Sequence, residues 1–173
     1  LYRSGKYEIC FFKADDMCVD EAYSKDPEPF LYAAMCMVKL YQSEDPDVAE
    51  DYQDGMKQAI KYAQKFAKKD REGELYEKNY EFIKSLKEDI KKEIKDQFEK
   101  KAYSKVVTAA KNYEKLNRET DYVLQYYIGI CEVLSNNVGQ GERDMMDAKQ
   151  NLKEAILKKE VKIDQMAKGF IVD

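Results

Sequence analysis

Apolar side chains recur every three or four residues along almost the whole of this 173-residue chain, and no segment alternates strictly over more than a few positions. This spacing places apolar residues on one side of an α-helix, whereas a half-buried strand needs strict alternation. Seven Gly and three Pro leave few residues for the tight turns of a sandwich, barrel or propeller. The pattern therefore predicts an all-α fold.

The periodicity divides the chain into about seven helices within a single domain, residues 1–173. The helix over residues 29–42 is apolar around nearly its whole circumference, which is typical of a helix buried between neighbours. Residues 136–141 are predicted to form a loop, and residues 160–173 a C-terminal tail or cap. The predicted helices cover approximately residues 6–24, 29–42, 46–69, 74–98, 106–116, 122–134 and 145–159.

Two of the predicted helices begin next to capping residues. Ser43 or Asp45 precedes Pro46, a residue suited to the first helical position. Thr120 or Asp121 precedes the helix over residues 122–134. Short polar side chains at such positions accept hydrogen bonds from the free N–H groups of the first helical turn.

Four segments share one spacing of apolar residues, three then four then three positions, and begin about 40 to 50 residues apart, which is typical of helical repeats. They are Tyr7-Cys10-Ala14-Met17, Met56-Ala59-Ala63-Phe66, Tyr103-Val106-Ala110-Tyr113 and Met145-Ala148-Leu152-Ala155. The middle two positions are mostly small, so a partner helix can approach closely. The spacing predicts stacked helical hairpins, with approximate units 1–26, 27–70, 74–117 and 120–159.

Parts of these units resemble the tetratricopeptide-repeat family. Residues 5–10, followed by Ala14, Met17 and Asp26-Pro27, are similar to its Gly-x-Tyr-x-x-Ala turn, second helix and closing Asp-Pro. Residues 101–106, followed by Ala110 and Tyr113, resemble a second copy with Lys101 in place of the turn glycine, and residues 127–131 resemble the Leu-Gly step of its first helix. The chain departs from the family in lacking Trp and in its longer repeat.

The resemblance implies a right-handed superhelix of helical hairpins, an α-solenoid, that binds other proteins. It also implies that Gly129 lies where the two helices of a hairpin touch. In such stacks the first helices line the concave face, and five tyrosines fall on them: Tyr76, Tyr80, Tyr122, Tyr126 and Tyr127. Tyrosine suits interfaces because it combines a large apolar ring with a polar tip, so these residues are predicted to contact a partner. The alternative is that they pack between helices.

Residues able to support catalysis or metal binding are scarce. The absence of histidine removes Ser-His and Cys-His nucleophile pairs and every His-containing metal site. The Asp-rich segment 45–55 has Ala49 and Glu50 where a calcium loop needs a ligand and a glycine. Gly139-Gln140-Gly141 lacks the preceding strand of a phosphate-binding loop. We predict no enzymatic activity, no cofactor and no metal.

The charge pattern bears on nucleic acids and membranes. Thirty Lys and Arg against 34 Asp and Glu give a formal charge of −4, and the Lys-rich segment 84–101 is interleaved with acidic residues, so no nucleic-acid binding is expected. The longest apolar run, residues 30–38, is about half the length of a membrane span. The predicted partner is a protein or peptide, and self-association is an alternative.

The cysteines and the first residue leave several questions open. Cys10 and Cys18 are too far apart on one helix to pair with each other, whereas Cys36 could pair with either across packed helices or stay a free thiol. The chain begins at Leu1 within a helical pattern, which predicts a cut inside a repeat and a longer natural protein. On this interpretation the chain is a structural segment of a longer solenoid or assembly. Removal of a signal predicts that the protein is exported or in the cell envelope, and a cytoplasmic location is the alternative.

Overall fold

The computed structural model describes residues 1–23 and 25–158, and within these ranges the chain forms nine α-helices and no strand. The predicted all-α class is confirmed. Two short 3-10 turns, Tyr2–Ser4 and Glu21–Tyr23, accompany the helices. The helices are α1 (Tyr7–Val19), α2 (Glu28–Tyr41), α3 (Pro46–Asp51), α4 (Gly55–Lys69), α5 (Glu74–Lys78), α6 (Tyr80–Glu99), α7 (Tyr103–Glu114), α8 (Tyr122–Leu134) and α9 (Val138–Leu157).

The helix count exceeds the predicted seven because two predicted helices are each interrupted. The helix predicted over residues 46–69 breaks after α3, and α4 restarts at Gly55, where a Cβ atom would lie 2.9 Å from the Tyr41 Cβ on α2. The helix predicted over residues 74–98 breaks at Asn79, whose Nδ2 donates to the Leu75 carbonyl at 2.8 Å. The same carbonyl also accepts the Asn79 backbone N–H at 3.0 Å.

The predicted loop over residues 136–141 is wrong, because α9 already begins at Val138. Asn136 adopts the left-handed conformation (φ 68), which reverses the chain within a three-residue turn. Gly139 and Gly141 are therefore helical residues. The first predicted helix is also too long, since α1 ends at Val19 and the chain continues through an extended Asp20.

Residues 1–86 form one compact unit, called unit 1 below. In it α2 packs against both α1 and α4, which confirms that this helix is buried between neighbours. Its core joins three helices through mostly small or flexible side chains: Cys10, Phe11, Ala14, Ala33, Cys36, Met37, Leu40 and Ala59. All four cysteines of the chain are free thiols, and burial raises the pKa of the Cys36 thiol.

The described residues from 87 onward form the second compact unit, unit 2, and the division falls inside α6. Here α8 packs against both α7 and α9. A Cβ atom on Gly129 would lie 2.9 Å from the Gly141 carbonyl oxygen, so α8 and α9 touch at this glycine, as the sequence predicts. The predicted tail, residues 160–173, lies outside the described residues. The single repeat domain, its four units and the superhelix stay predictions.

Candidate functional site

Helix α8 is nearly free of charge in a chain whose residues are 37% charged. Its one charged residue, Glu132, is buried and pairs with Lys111 of α7 at 2.5 Å. The exposed part of α8 consequently carries no charge at all. Solvated helix faces are normally polar or charged, so an exposed helix face without charge is unusual.

Four apolar residues of α8 form an exposed line, called the α8 stripe below. They follow one another at helical spacing of three, four and four residues, and each is between 36% and 45% exposed: Val123, Tyr126, Ile130 and Leu134. At 1.5 Å per residue the stripe is about 16 Å long. It therefore provides a continuous apolar surface for about three helical turns.

The opposite side of α8 fixes the stripe in place. Leu124, Ile128 and Cys131 are buried between the neighbouring helices. The Asp121 carboxylate accepts the Leu124 N–H at 2.9 Å, so Asp121 rather than Thr120 caps the helix. Asp45 likewise caps α3 by accepting the Asp47 N–H at 3.0 Å. Capping and burial on one side leave the other side of α8 rigid and exposed.

Polar contacts tie α8 to α7 away from the stripe. Beside the Lys111–Glu132 pair, Gln125 Nε2 donates to Glu114 Oε1 at 2.7 Å. Both pairs lie on the side of α8 that faces α7. The α8 backbone is thus anchored through its polar residues, and its exposed apolar residues are not needed for that purpose.

The five tyrosines predicted to contact a partner are divided between the two units. Tyr76 and Tyr80 belong to unit 1: the Tyr76 ring is buried and stacks on Phe66 at a centroid distance of 6.5 Å, whereas Tyr80 is exposed at the start of α6. The other three lie on α8. The structure therefore does not bring all five together within one unit.

The three tyrosines of α8 differ in exposure. Tyr126 is part of the α8 stripe, and Tyr122 is half-buried at the start of the helix. Tyr127 packs against Phe98 at 6.2 Å, and burial together with the neighbouring Cys131 thiol raises the pKa of its hydroxyl. Tyr127 thus has the packing role that the sequence left as the alternative. The aliphatic members of the stripe were not singled out from the sequence, although the missing charge on α8 would have indicated them.

A second exposed apolar surface lies in unit 1, on the side of α1 opposite its buried residues. Ile9, Phe12 and Val19 are 51%, 54% and 81% exposed. This set is called the α1 face below. It is interrupted by the exposed Asp16, so it is less continuous than the α8 stripe.

A basic groove of about 900 Å³ is a third feature, also in unit 1. It lies between the end of α1, the start of α2, the end of α4 and the turn that follows. Its charged lining residues are Lys25, Lys65, Lys68, Lys69 and Arg71 together with Asp70 and Glu72. Sequence reasoning did not single out this cluster, although every charged residue of α4 is a lysine.

Aromatic rings and one buried carboxylate shape the groove. The Phe30 ring lies 4.9 Å from Lys69 Nζ and 5.9 Å from Lys65 Nζ. Asp70 is buried, and its Oδ2 accepts the Tyr76 N–H at 2.7 Å. Cys18 also lines the groove; burial and then the charge of Asp15 raise the pKa of its thiol to about 11, although the nearby lysines act in the opposite direction.

Two further findings concern metals and membranes. Within the described ranges, no three His, Cys, Asp or Glu side chains come together in a group that could hold a metal ion. Among the described helices, none combines the length and the apolar character needed to cross a membrane.

No family model, curated protein or solved structure matches this chain. The resemblance to tetratricopeptide repeats therefore depends on the residues quoted for it above.

Proposed function

We propose that this chain is a non-enzymatic protein-interaction module whose α8 stripe binds an amphipathic helix of a partner protein. The observation that carries the proposal is the exposed, uncharged face of α8, centred on Tyr126 and Ile130. Contiguous apolar surface of this kind is uncommon on soluble proteins and is typical of interaction sites.

The shape and chemistry of the stripe favour a helix as the bound element. Residues spaced by three and four positions form a straight apolar ridge that the apolar side of a second helix can cover. Tyr126 supplies a large ring with a polar tip, a combination enriched among residues that dominate binding energy. Of the five tyrosines predicted to contact a partner, we retain Tyr126, together with the aliphatic residues of the α8 stripe.

The proposal is tested by placing a photo-cross-linking phenylalanine analogue at position 126 of the full chain in its native cell. A matched analogue replaces Tyr41, which is similarly exposed on α2. We expect cross-links from position 126 to a helical segment of one partner, identified by mass spectrometry, and none to that partner from position 41. The same partner cross-linked equally from both positions would contradict the proposal.

A double variant, Tyr126→Ala with Ile130→Ala, then measures the affinity for the identified segment. We expect affinity to fall at least tenfold, because truncating central apolar residues of an interface typically costs about 2 kcal/mol or more. Tyr41→Ala serves as the control. Both variants should unfold at the same urea concentration as the parent, since exposed residues contribute little to stability.

The α1 face favours a second candidate function, that of a structural segment in a larger helical assembly. Ile9, Phe12 and Val19 leave an apolar helix side uncovered, as an end of a stacked array would. Light scattering tests this: we expect a mass above the 20.3 kDa of a single chain. The variant Phe12→Glu should have the mass of one chain. A parent chain with the mass of a monomer would contradict this candidate function.

A further inference from the structure

The basic groove of unit 1 concentrates positive charge in a chain that is negative as a whole. Five cationic side chains face two carboxylates there, although the formal charge of the chain is −4. A concave site lined by one sign of charge attracts ligands of the opposite sign and raises their local concentration. The groove is thus suited to an anion.

The charged residues of α4 all have the same sign, although Lys68 and Lys69 lie in its last turn, where positive charge favours the helix dipole. All five charged residues of its sequence, GMKQAIKYAQKFAKK, are lysines. Lys65 precedes Lys68 by three residues and Lys69 by four, and like charges at these spacings destabilise a helix. In α6, by contrast, Lys84 and Lys92 pair with acidic residues of the same helix. An anion in the groove would offset the repulsion along α4.

The contacts of Lys25, Lys65 and Lys68 leave their charge available for such an anion. Within residues 1–23 and 25–158, no carboxylate forms an ion pair with Lys25, Lys65 or Lys68. The Phe30 ring brings the ammonium groups of Lys65 and Lys69 to one place, because each lies within 6 Å of its centroid. One of the two groove carboxylates, Asp70, is buried and accepts a backbone hydrogen bond.

We propose that the basic groove binds a small ligand that carries phosphate groups. A phosphate monoester has about two negative charges near neutral pH, and lysine binds phosphate as a point charge. The volume of about 900 Å³ falls within the roughly 300–1,000 Å³ of small-molecule sites. The phosphate belongs either to a free metabolite or to the head group of a lipid.

Two binding measurements on the full chain distinguish these sources. The first is a calorimetric titration with inorganic pyrophosphate. The second is sedimentation with phosphatidylcholine vesicles that do or do not contain phosphatidic acid. Binding of pyrophosphate identifies a free phosphate ligand, whereas binding only to vesicles with phosphatidic acid identifies a head group.

The variant Lys65→Gln with Lys68→Gln tests whether binding occurs in the groove. Affinity should fall about a hundredfold, roughly tenfold for each charge-assisted contact removed. The control is Lys13→Gln with Lys39→Gln, which removes the same charge from exposed positions of α1 and α2 outside the groove. Thermal unfolding should show that neither variant is less stable than the parent.

A measurement on the unaltered protein locates the ligand independently. Cys18 lines the groove and is partly exposed, whereas Cys10, Cys36 and Cys131 are buried. Whichever probe binds, pyrophosphate or phosphatidic acid vesicles, should therefore slow the alkylation of Cys18 several-fold. Unchanged alkylation of Cys18 at a saturating concentration of the probe that binds would overturn the proposal. So would absence of binding to both probes, an equal loss of affinity in the two variants, or equal affinity for poly-glutamate.

Discussion

Glu132 is a charged residue in the interior of unit 2. Its side chain is buried, and Lys111, whose own side chain is partly exposed, neutralises it at 2.5 Å. Removing a charge from water is costly, and a partner at hydrogen-bond distance offsets that cost. The carboxylate depends on this lysine because its second oxygen, Oε2, has no hydrogen-bond partner in the part of the chain that the structure describes.

Lys111→Met is expected to lower the free energy of unfolding by about 3 kcal/mol, because it leaves a buried carboxylate without its counter-charge. Urea denaturation followed by circular dichroism measures the change. Lys105→Met, an exposed position on the same helix, is the control and should shift stability by less than about 0.5 kcal/mol.

Adding Glu132→Leu to Lys111→Met should restore most of the lost stability, since replacing both members of a buried pair by apolar residues is often neutral or better. A double variant no more stable than Lys111→Met alone would mean that the pair itself, rather than the isolated charge, determines the effect.

At the scale of elements, the α8–α9 pair depends on two glycines that let the helices approach closely. A Cβ atom on Gly141 would lie 2.5 Å from the Gly129 carbonyl oxygen and 2.8 Å from the Val133 backbone nitrogen. Backbone atoms cannot move aside as a flexible side chain can. The close approach also positions the α8 stripe, because α8 is held from this side.

Gly141→Ala is expected to destabilise the protein by about 1–3 kcal/mol, since the added methyl group must push two helices apart. Gly139→Ala, two residues earlier on α9, is the matched control: its Cβ would meet only Arg143 Nη1 at 3.6 Å, an ordinary contact. There the gain in helix propensity should raise stability by up to about 1 kcal/mol. Thermal and urea unfolding measure the stability of both variants. Opposite signs of the stability change would show that close helix contact requires Gly141.

At the scale of the whole molecule, the chain is organised as two compact units that share one helix. Helix α6 begins in unit 1 and ends in unit 2. Ile83 and Leu86 are buried on its first half, and Ile90 and Ile94 on its second. Unfolding one unit alone would divide this helix and leave unpaired backbone groups at the new end.

The chain is therefore expected to unfold in one shared urea transition. Ile83→Ala and Ile94→Ala, although they lie in different units, should each lower its free energy of unfolding by about 2–5 kcal/mol. Circular dichroism and tyrosine fluorescence should report the same midpoint. Val19→Ala, at an exposed position, is the control. Two separate transitions, each sensitive to only one of the variants, would contradict this coupling.

Much of the fold could be predicted from local patterns. The apolar periodicity indicated the all-α class, the circumferential apolarity of α2 indicated its burial, and Gly129 was expected at a helix contact. The breaks at residues 52–54 and at Asn79 were missed. They coincide with a close approach to another helix and with a side-chain hydrogen bond, which periodicity does not record.

The sequence by itself determined that the chain is helical, which helices are apolar, and that catalysis by histidine is excluded, because these properties follow from composition and spacing alone. Only the tertiary structure decided which apolar and charged residues stay at the surface. Tyr76 and Tyr126 look equivalent in the sequence, yet one is buried and the other exposed. Likewise, the lysines of α4 line a groove only because the ends of α1 and α2 lie beside them. Exposure and local charge depend on neighbours that are distant in the chain.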